Sequence, residues 1–176
     1  MKNILVTGGL GYIGSHTCVA LAEAGCSVVI VDNLSNARPQ AHERIRGLAP
    51  RASIAFHEAD IRDRAALERI LSSQSIEAVV HFAGLKAVGE SVEKPQLYHD
   101  NNVGGTQVLL DAMARHGVKR IVFSSSATVY GTPERLPIAE DHPVRRQSPY
   151  GENKADIERL LAGRPELEPD FSYAAL

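Results

Sequence analysis

Short runs of apolar, largely β-branched residues recur along the chain at Ile4–Val6, Val28–Val31, Ile54–Phe56, Ala78–Phe82 and Ile121–Phe123, with a weaker sixth at Ser172–Leu176. The first five are nearly continuous rather than alternating, which is the pattern of strands covered on both faces. Between them the apolar positions fall on a helical period. Ile13–Ala24 predicts a helix closed by Gly25, a residue suited to a left-handed cap. Asp63 predicts an N-cap for Arg64–Leu71, where Leu67, Ile70 and Leu71 share one stripe. A long helix is expected from about Gln96 to His116, ending at Gly117, and another over Gly151–Ala162, ending at Gly163. The stretch from Gly131 to Pro149 carries four prolines and no period, so it predicts a functional or mobile loop.

Strands alternating with helices imply parallel pairing through right-handed crossovers. The expected fold is α/β: a doubly wound, Rossmann-like parallel sheet of about six strands in the order 3-2-1-4-5-6. A chain of 176 residues, 44% of them hydrophobic, suits one such domain over residues 1–176 without disulfides or metal. Lys and Arg total 19 against 21 Asp and Glu, a net charge of −2, so the electrostatic footprint of a nucleic-acid or membrane-surface binder is missing. Cys18 and Cys26 are too few for a disulfide framework, and no apolar run reaches the roughly 18 residues of a membrane span. A cytoplasmic protein is the expectation.

The chemistry begins at Thr7-Gly8-Gly9-Leu10-Gly11-Tyr12-Ile13-Gly14. Gly9, Gly11 and Gly14 satisfy G-x-G-x-x-G, and Gly8, Gly11 and Gly14 satisfy G-x-x-G-x-x-G; spacing alone leaves both open. Either pattern lets backbone turn sharply off a strand and bring helix N-terminal N–H groups to a pyrophosphate. Asp32 ends the second strand 18 residues after Gly14, where a carboxylate accepts from ribose hydroxyls and repels a 2′-phosphate. That favours NAD over NADP. Asp60, after the third strand, is a second candidate near the adenine, or an ordinary loop cap.

Tyr150-Gly151-Glu152-Asn153-Lys154 places a phenol and an ammonium one helical turn apart on one face. An ordinary Tyr titrates near 10, and half-ionising it at pH 7 needs roughly 4 kcal/mol of phenolate stabilisation. A neighbouring Lys charge is expected to contribute part of it. Ser124-Ser125-Ser126 ends the fifth strand at the carboxyl edge, where doubly wound sheets place ligands and a hydroxyl can orient a substrate alcohol. Lys86 follows the fourth strand at the same edge, and is either a ribose or sugar contact or a solvated loop residue. His81 and His116 read as structural.

Together these segments resemble the extended short-chain dehydrogenase/reductases. The longer runs Phe82-Ala83-Gly84-Leu85-Lys86-Ala87-Val88-Gly89-Glu90-Ser91, Asp100-Asn101-Asn102-Val103 and Ser124-Ser125-Ser126-Ala127-Thr128-Val129-Tyr130-Gly131 resemble that family's sugar-nucleotide 4-epimerases. The resemblance implies that Gly8, Gly11, Tyr12, Ile13 and Gly14 hold the pyrophosphate of NAD. It puts Asp32 and Asn33 at the adenosine ribose, Asp60 and Ile61 at the adenine, and Phe82, Ala83, Gly84, Lys86 and Asn101 along the rest of the cofactor. It makes Tyr150 the base, Lys154 its electrostatic partner and ribose anchor, and Ser126 the hydroxyl that orients a UDP-sugar. Tyr150, Lys86 and Ser126 would touch that substrate. The implied reaction interconverts UDP-glucose and UDP-galactose through a transient 4-keto sugar; the alternatives are a non-catalytic NAD-binding module and a related dehydratase or reductase. Ala127 and Thr128 stand where 4,6-dehydratases carry an Asp-Glu pair, which argues against dehydration. The family also implies dimers through two helices and a smaller C-terminal domain gripping the nucleotide. This chain stops at Tyr173-Ala174-Ala175-Leu176, inside the expected sixth strand, so a truncated form lacking that grip is expected.

Overall fold

The computed structural model describes residues 2–176. Six strands form one parallel sheet: β1 (Asn3–Thr7), β2 (Ser27–Asp32), β3 (Ile54–Glu58), β4 (Ala78–His81), β5 (Arg120–Phe123) and β6 (Ser172–Ala175), in the order β3-β2-β1-β4-β5-β6. The order is the one the alternation predicts. β1 and β2 are buried almost throughout because helices cover both faces. Side chains alternate between two cores. Ile4, Val6, Val28 and Ile30 pack with Cys18 and Ala22 of α1 (Tyr12–Glu23) and Ile45 of α2 (Gln40–Leu48). Leu5, Val29, Val31, Val79 and Ile121 pack on the other face with α3 (Arg64–Gln74), α6 (Gly105–Arg115) and α7 (Pro149–Leu167). Leu67, Leu109 and Leu161 on these three helices are fully buried, each contributing about 2 kcal/mol by apolar burial. The predicted Asp63 cap is made: its side chain accepts from Ala66 N at 3.0 Å.

Four local features depart from the sequence pattern. The expected Gln96–His116 helix is three pieces: α5 (Pro95–His99), a wider π-helical turn at Asp100–Gly104, and α6. Within that run the Thr106 hydroxyl donates back to the Asn102 carbonyl at 2.6 Å. Secondly, α7 continues past Gly163 and through Pro165 to Leu167. Arg164 steadies that last stretch, pairing with Asp111 of α6 and with Glu168, both at 3.0 Å. Thirdly, α2 and the short α4 (Val88–Glu93) each bury a single residue, Ile45 and Ser91, and so give no readable stripe. Fourthly, residues 131–148 hold no helix or strand, yet they fold around a buried His142, whose Nε2 accepts from Glu134 N at 3.1 Å. Arg145 N reaches back to Val129 O at 2.9 Å, and the Gln147 side chain accepts from both Thr132 N and Thr132 Oγ1. Among the described residues, no helix is long and apolar enough to cross a membrane.

Candidate functional site

Every strand of a parallel sheet ends on the same edge, so the segments after β1, β2, β3, β4 and β5 converge there. After β1, Gly8 sits at φ +66, and a Cβ on it would lie 2.6 Å from Ala83 N; one on Gly14 would lie 2.2 Å from Gly8 O. Sterics therefore require Gly8 and Gly14, which let α1 and the loop after β4 close on the turn, and also Gly9, whose Cβ would lie 2.9 Å from Ile30 Cγ2. Gly11 is the N-cap of α1 and offers no side-chain cap, which leaves the first amides of the helix for a ligand. Tyr12 and Ile13 stand there 78% and 58% exposed.

Asp32 does more than its position suggested. It is buried, and its carboxylate accepts from Leu10 N at 3.0 Å and Leu34 N at 2.9 Å, tying the glycine turn to the end of β2. Each oxygen retains a lone pair for another donor. A cleft of about 340 Å³ opens beside it, lined by Leu10, Gly11, Tyr12, Asn36, Ala37 and Arg38 among others. Asn33 donates to Asp60 at 2.9 Å, and Arg62 grips the same carboxylate with Nε and Nη2 at 2.9 and 2.8 Å. That paired guanidinium, chiefly through its hydrogen bonds, holds the Asp60 carboxyl far below the usual carboxylate range. The Ile61 side chain is buried against Gly105 of α6, so it belongs to the core rather than to the open edge. Cys18, beneath the turn, is pushed up to about 12 by burial and then by the charge of Asp32, and is an inert thiol.

After β4 the loop at Phe82–Lys86 is clamped from behind. Asn102, in the π turn, accepts from Leu85 N at 2.8 Å and donates to Leu85 O at 2.9 Å, while Asn101 donates to Asn102 Oδ1. A buried chain of hydrogen bonds links this clamp to β1. The Thr106 hydroxyl donates to Asn102 O, so its oxygen accepts from His81 Nε2 at 2.8 Å. His81 Nδ1 then accepts from the Thr7 hydroxyl at 2.6 Å, and Thr7 accepts from Ala83 N at 3.4 Å. The chain requires neutral His81, and burial, then the Lys154 charge, pulls its pKa down to about 3. Lys86 is exposed at the tip of the loop.

After β5, Ser126 caps a 3₁₀ turn at Ala127–Tyr130, its oxygen accepting from Thr128 N at 3.2 Å and Thr128 Oγ1 at 2.9 Å. Its own proton is left to donate outward. Ser148 caps α7 through Gly151 N at 3.1 Å, and Ser91 of α4 takes the Tyr150 amide at 3.2 Å, so two serines fix the start of the Tyr150 helix. Lys154 is 7% exposed, donates to Ser124 O at 2.7 Å, and lies 4.6 Å from the centre of the Phe123 ring and 5.7 Å from that of Tyr150. Burial pulls Lys154 down to about 8, against which the charge of Glu158 works. Tyr150 departs from expectation: burial raises it above its ordinary value, with the Ser126 hydroxyl working the other way. The protein's own groups therefore keep the phenol neutral, because the ammonium is directed to a carbonyl rather than at the phenol oxygen.

Gly8–Gly14, Asp32, Asn33, Asp60, Phe82–Lys86, Ser126, Tyr150 and Lys154 thus lie toward one edge, with the Ile61 side chain turned inward beside Asp60. Sequence reasoning overlooks Asn102, Ser91, Thr128 and Thr106, which support the site from behind. The signal that could have found them is position: Ser91, Asn102 and Thr128 lie within the long matching runs, and Thr106 follows one by three residues.

Residues 4–172 match the family described as "NAD dependent epimerase/dehydratase family". A UDP-glucose 4-epimerase of Bacillus subtilis (strain 168) is 50% identical over 98% of this chain and 51% of its own length. UDP-glucose 4-epimerase 2 of Arabidopsis thaliana is 53% identical over 90% of this chain and 46% of its own. The chain thus spans about half the length of the curated relatives it matches. Among solved structures, UDP-glucose-4-epimerase from Stenotrophomonas maltophila, with bound NAD and formylated UDP-arabinopyranose, superposes with a TM-score of 0.96 at 45% identity, over 99% of this chain and 52% of that one. The Bifidobacterium longum enzyme, in complex with NAD+ and UDP, does so with a TM-score of 0.96 at 44% identity, over the same shares. On the sheet, the glycine cradle and a match over residues 4–172, this chain belongs to the NAD dependent epimerase/dehydratase family.

Proposed function

We propose that this chain carries the NAD site and the proton-transfer group of a UDP-glucose 4-epimerase, the reaction interconverting UDP-glucose and UDP-galactose. One observation carries the reading: Ser126, Tyr150 and the buried Lys154 stand on the same sheet edge as the Gly8–Gly14 cradle. The residues fit the cofactor. Gly8 and Gly14 let the turn close tightly on α1 and on the loop after β4, the first amides of α1 have no side-chain cap, and a cleft lined by Leu10, Gly11 and Tyr12 opens at that helix start. Gly8, Gly11, Tyr12, Ile13 and Gly14 would hold its pyrophosphate, Asp32 and Asn33 the adenosine ribose, Asp60 the adenine side, and Phe82–Gly84, Lys86, Asn101, Tyr150 and Lys154 its far end. When bound, NAD supplies a reversible hydride acceptor.

The chain's own part is proton traffic. Tyr150 Oη, once ionised by positive charge brought beside it, takes the proton of the sugar 4-hydroxyl and later returns it. The Ser126 hydroxyl, with its oxygen occupied by Thr128, donates to the sugar oxygen and fixes its direction. Ser91 and Ser148 hold the helix start so that the phenol does not wander. Because burial raises Tyr150, the roughly 4 kcal/mol needed for half-ionisation at pH 7 is a lower bound, and Lys154 together with positive charge brought to the site must meet it.

Calorimetric titration with NAD tests the site directly. The 176-residue chain should bind NAD, Asp32→Ala should weaken binding at least tenfold, and Tyr150→Phe should change it less than about threefold. Joined to the C-terminal half of the Bacillus subtilis relative, the chain should convert UDP-galactose to UDP-glucose, and Tyr150→Phe should abolish that conversion. Absence of NAD binding, or conversion untouched by Tyr150→Phe, would overturn the reading.

A further inference from the structure

Ser124-Ser125-Ser126 does three different things. The Ser124 carbonyl takes the Lys154 ammonium, and the Ser126 hydroxyl faces the Tyr150 phenol. The Ser125 hydroxyl donates to the Glu158 carboxylate. Glu158 follows Lys154 by one helical turn, so both project from the same face of α7. An ammonium as enclosed as Lys154 is costly to keep charged without a counter-charge. The titratable groups that face it are Tyr150 on its own helix, His81 on β4 and Glu158. The phenol and the imidazole are neutral at pH 7, which leaves Glu158 as the negative charge.

We propose that Glu158, braced by the Ser125 hydroxyl, is a positioning residue that keeps the Lys154 ammonium charged and seated on the Ser124 carbonyl beside Tyr150. The inference rests on the reading of Lys154 as the electrostatic partner of Tyr150. Glu158 acts through Lys154 and needs no contact with cofactor or sugar. Substrate would then meet a site whose positive charge is set from behind, by a side chain one turn further along the helix.

The test is a direct titration of this chain, without cofactor or sugar, by NMR of 13C- and 15N-labelled lysine side chains. There are five lysines, and Lys154→Met assigns the resonance. Glu158→Gln should lower the Lys154 midpoint by about one pH unit. Ser125→Ala should lower it by less, Glu158→Asp should restore part of the loss, and the other four lysines should not move. A Lys154 midpoint unchanged in both Glu158→Gln and Ser125→Ala would overturn the proposal. So would unfolding of the isosteric Glu158→Gln, which would make the residue structural. A chain that fails to bind NAD would refute the functional reading and leave this titration standing, so the two failures are separable.

Discussion

Where the chain leaves β1 and β2, the site is made of backbone: a turn at positive φ, a helix that approaches to within a Cβ of it, and a carboxylate holding two amides. Across the sheet, where it leaves β4 and β5, the site is made of side chains whose protonation and orientation decide everything: His81, Asn102, Ser126, Tyr150 and Lys154. The first side is intolerant of volume, because backbone already fills the space a Cβ would need. The second has ordinary side-chain volume but depends on which groups carry protons. The contrast matches the tasks, since a pyrophosphate needs a fixed row of N–H donors while a proton transfer needs groups that can change state.

The largest effect should come from breaking the backbone side. Gly14→Ala places a carbon against Gly8 O with no flexible atom to yield, and should cost on the order of 3 kcal/mol in urea unfolding. Loss of less than about 1 kcal/mol would mean that the turn can relax. On the other side, acid should act through His81. Its folded pKa of about 3 lies below the ordinary value near 6.5, so below pH 6.5 the unfolded chain takes up a proton that the fold refuses. The stability it contributes is complete above pH 6.5 and lost as pH falls from there toward 3, by up to roughly 1.4 kcal/mol per pH unit. His81→Gln should flatten that limb; parallel acid limbs in the two chains would refute the assignment. The smallest effect should lie away from both sides. Asp170→Asn removes the exposed pair with Lys119 and should shift stability by less than about 0.5 kcal/mol.

The same contrast explains what could be read in advance. Gly8–Gly14 and the i, i+4 pair of Tyr150 and Lys154 were legible because the requirement is local: a steric demand within seven residues, or one helical turn. Asp32 was legible as a strand-end carboxylate, but its bond to Leu10 was not, since 22 residues separate them. The bond from Thr7 to His81 spans 74 residues and carries no local signature. The π turn was not legible, because a helix expected over Gln96–His116 carries no local signature of a single wider turn. The burial of the Ile61 side chain against Gly105 was not legible, because an apolar residue after a strand looks alike whichever way it points.

The π turn has one more consequence, for length rather than composition. Before it, α5 packs on α7; after it, α6 packs on α3. An extra residue in one turn rotates everything downstream by about 100° relative to a regular helix. Deleting any single residue of Asp100–Gly104 would leave a straighter helix whose second half points Leu109 and Met113 away from α3. A chain that keeps this packing must keep the count of residues between Tyr98 and Leu109, whatever their identity.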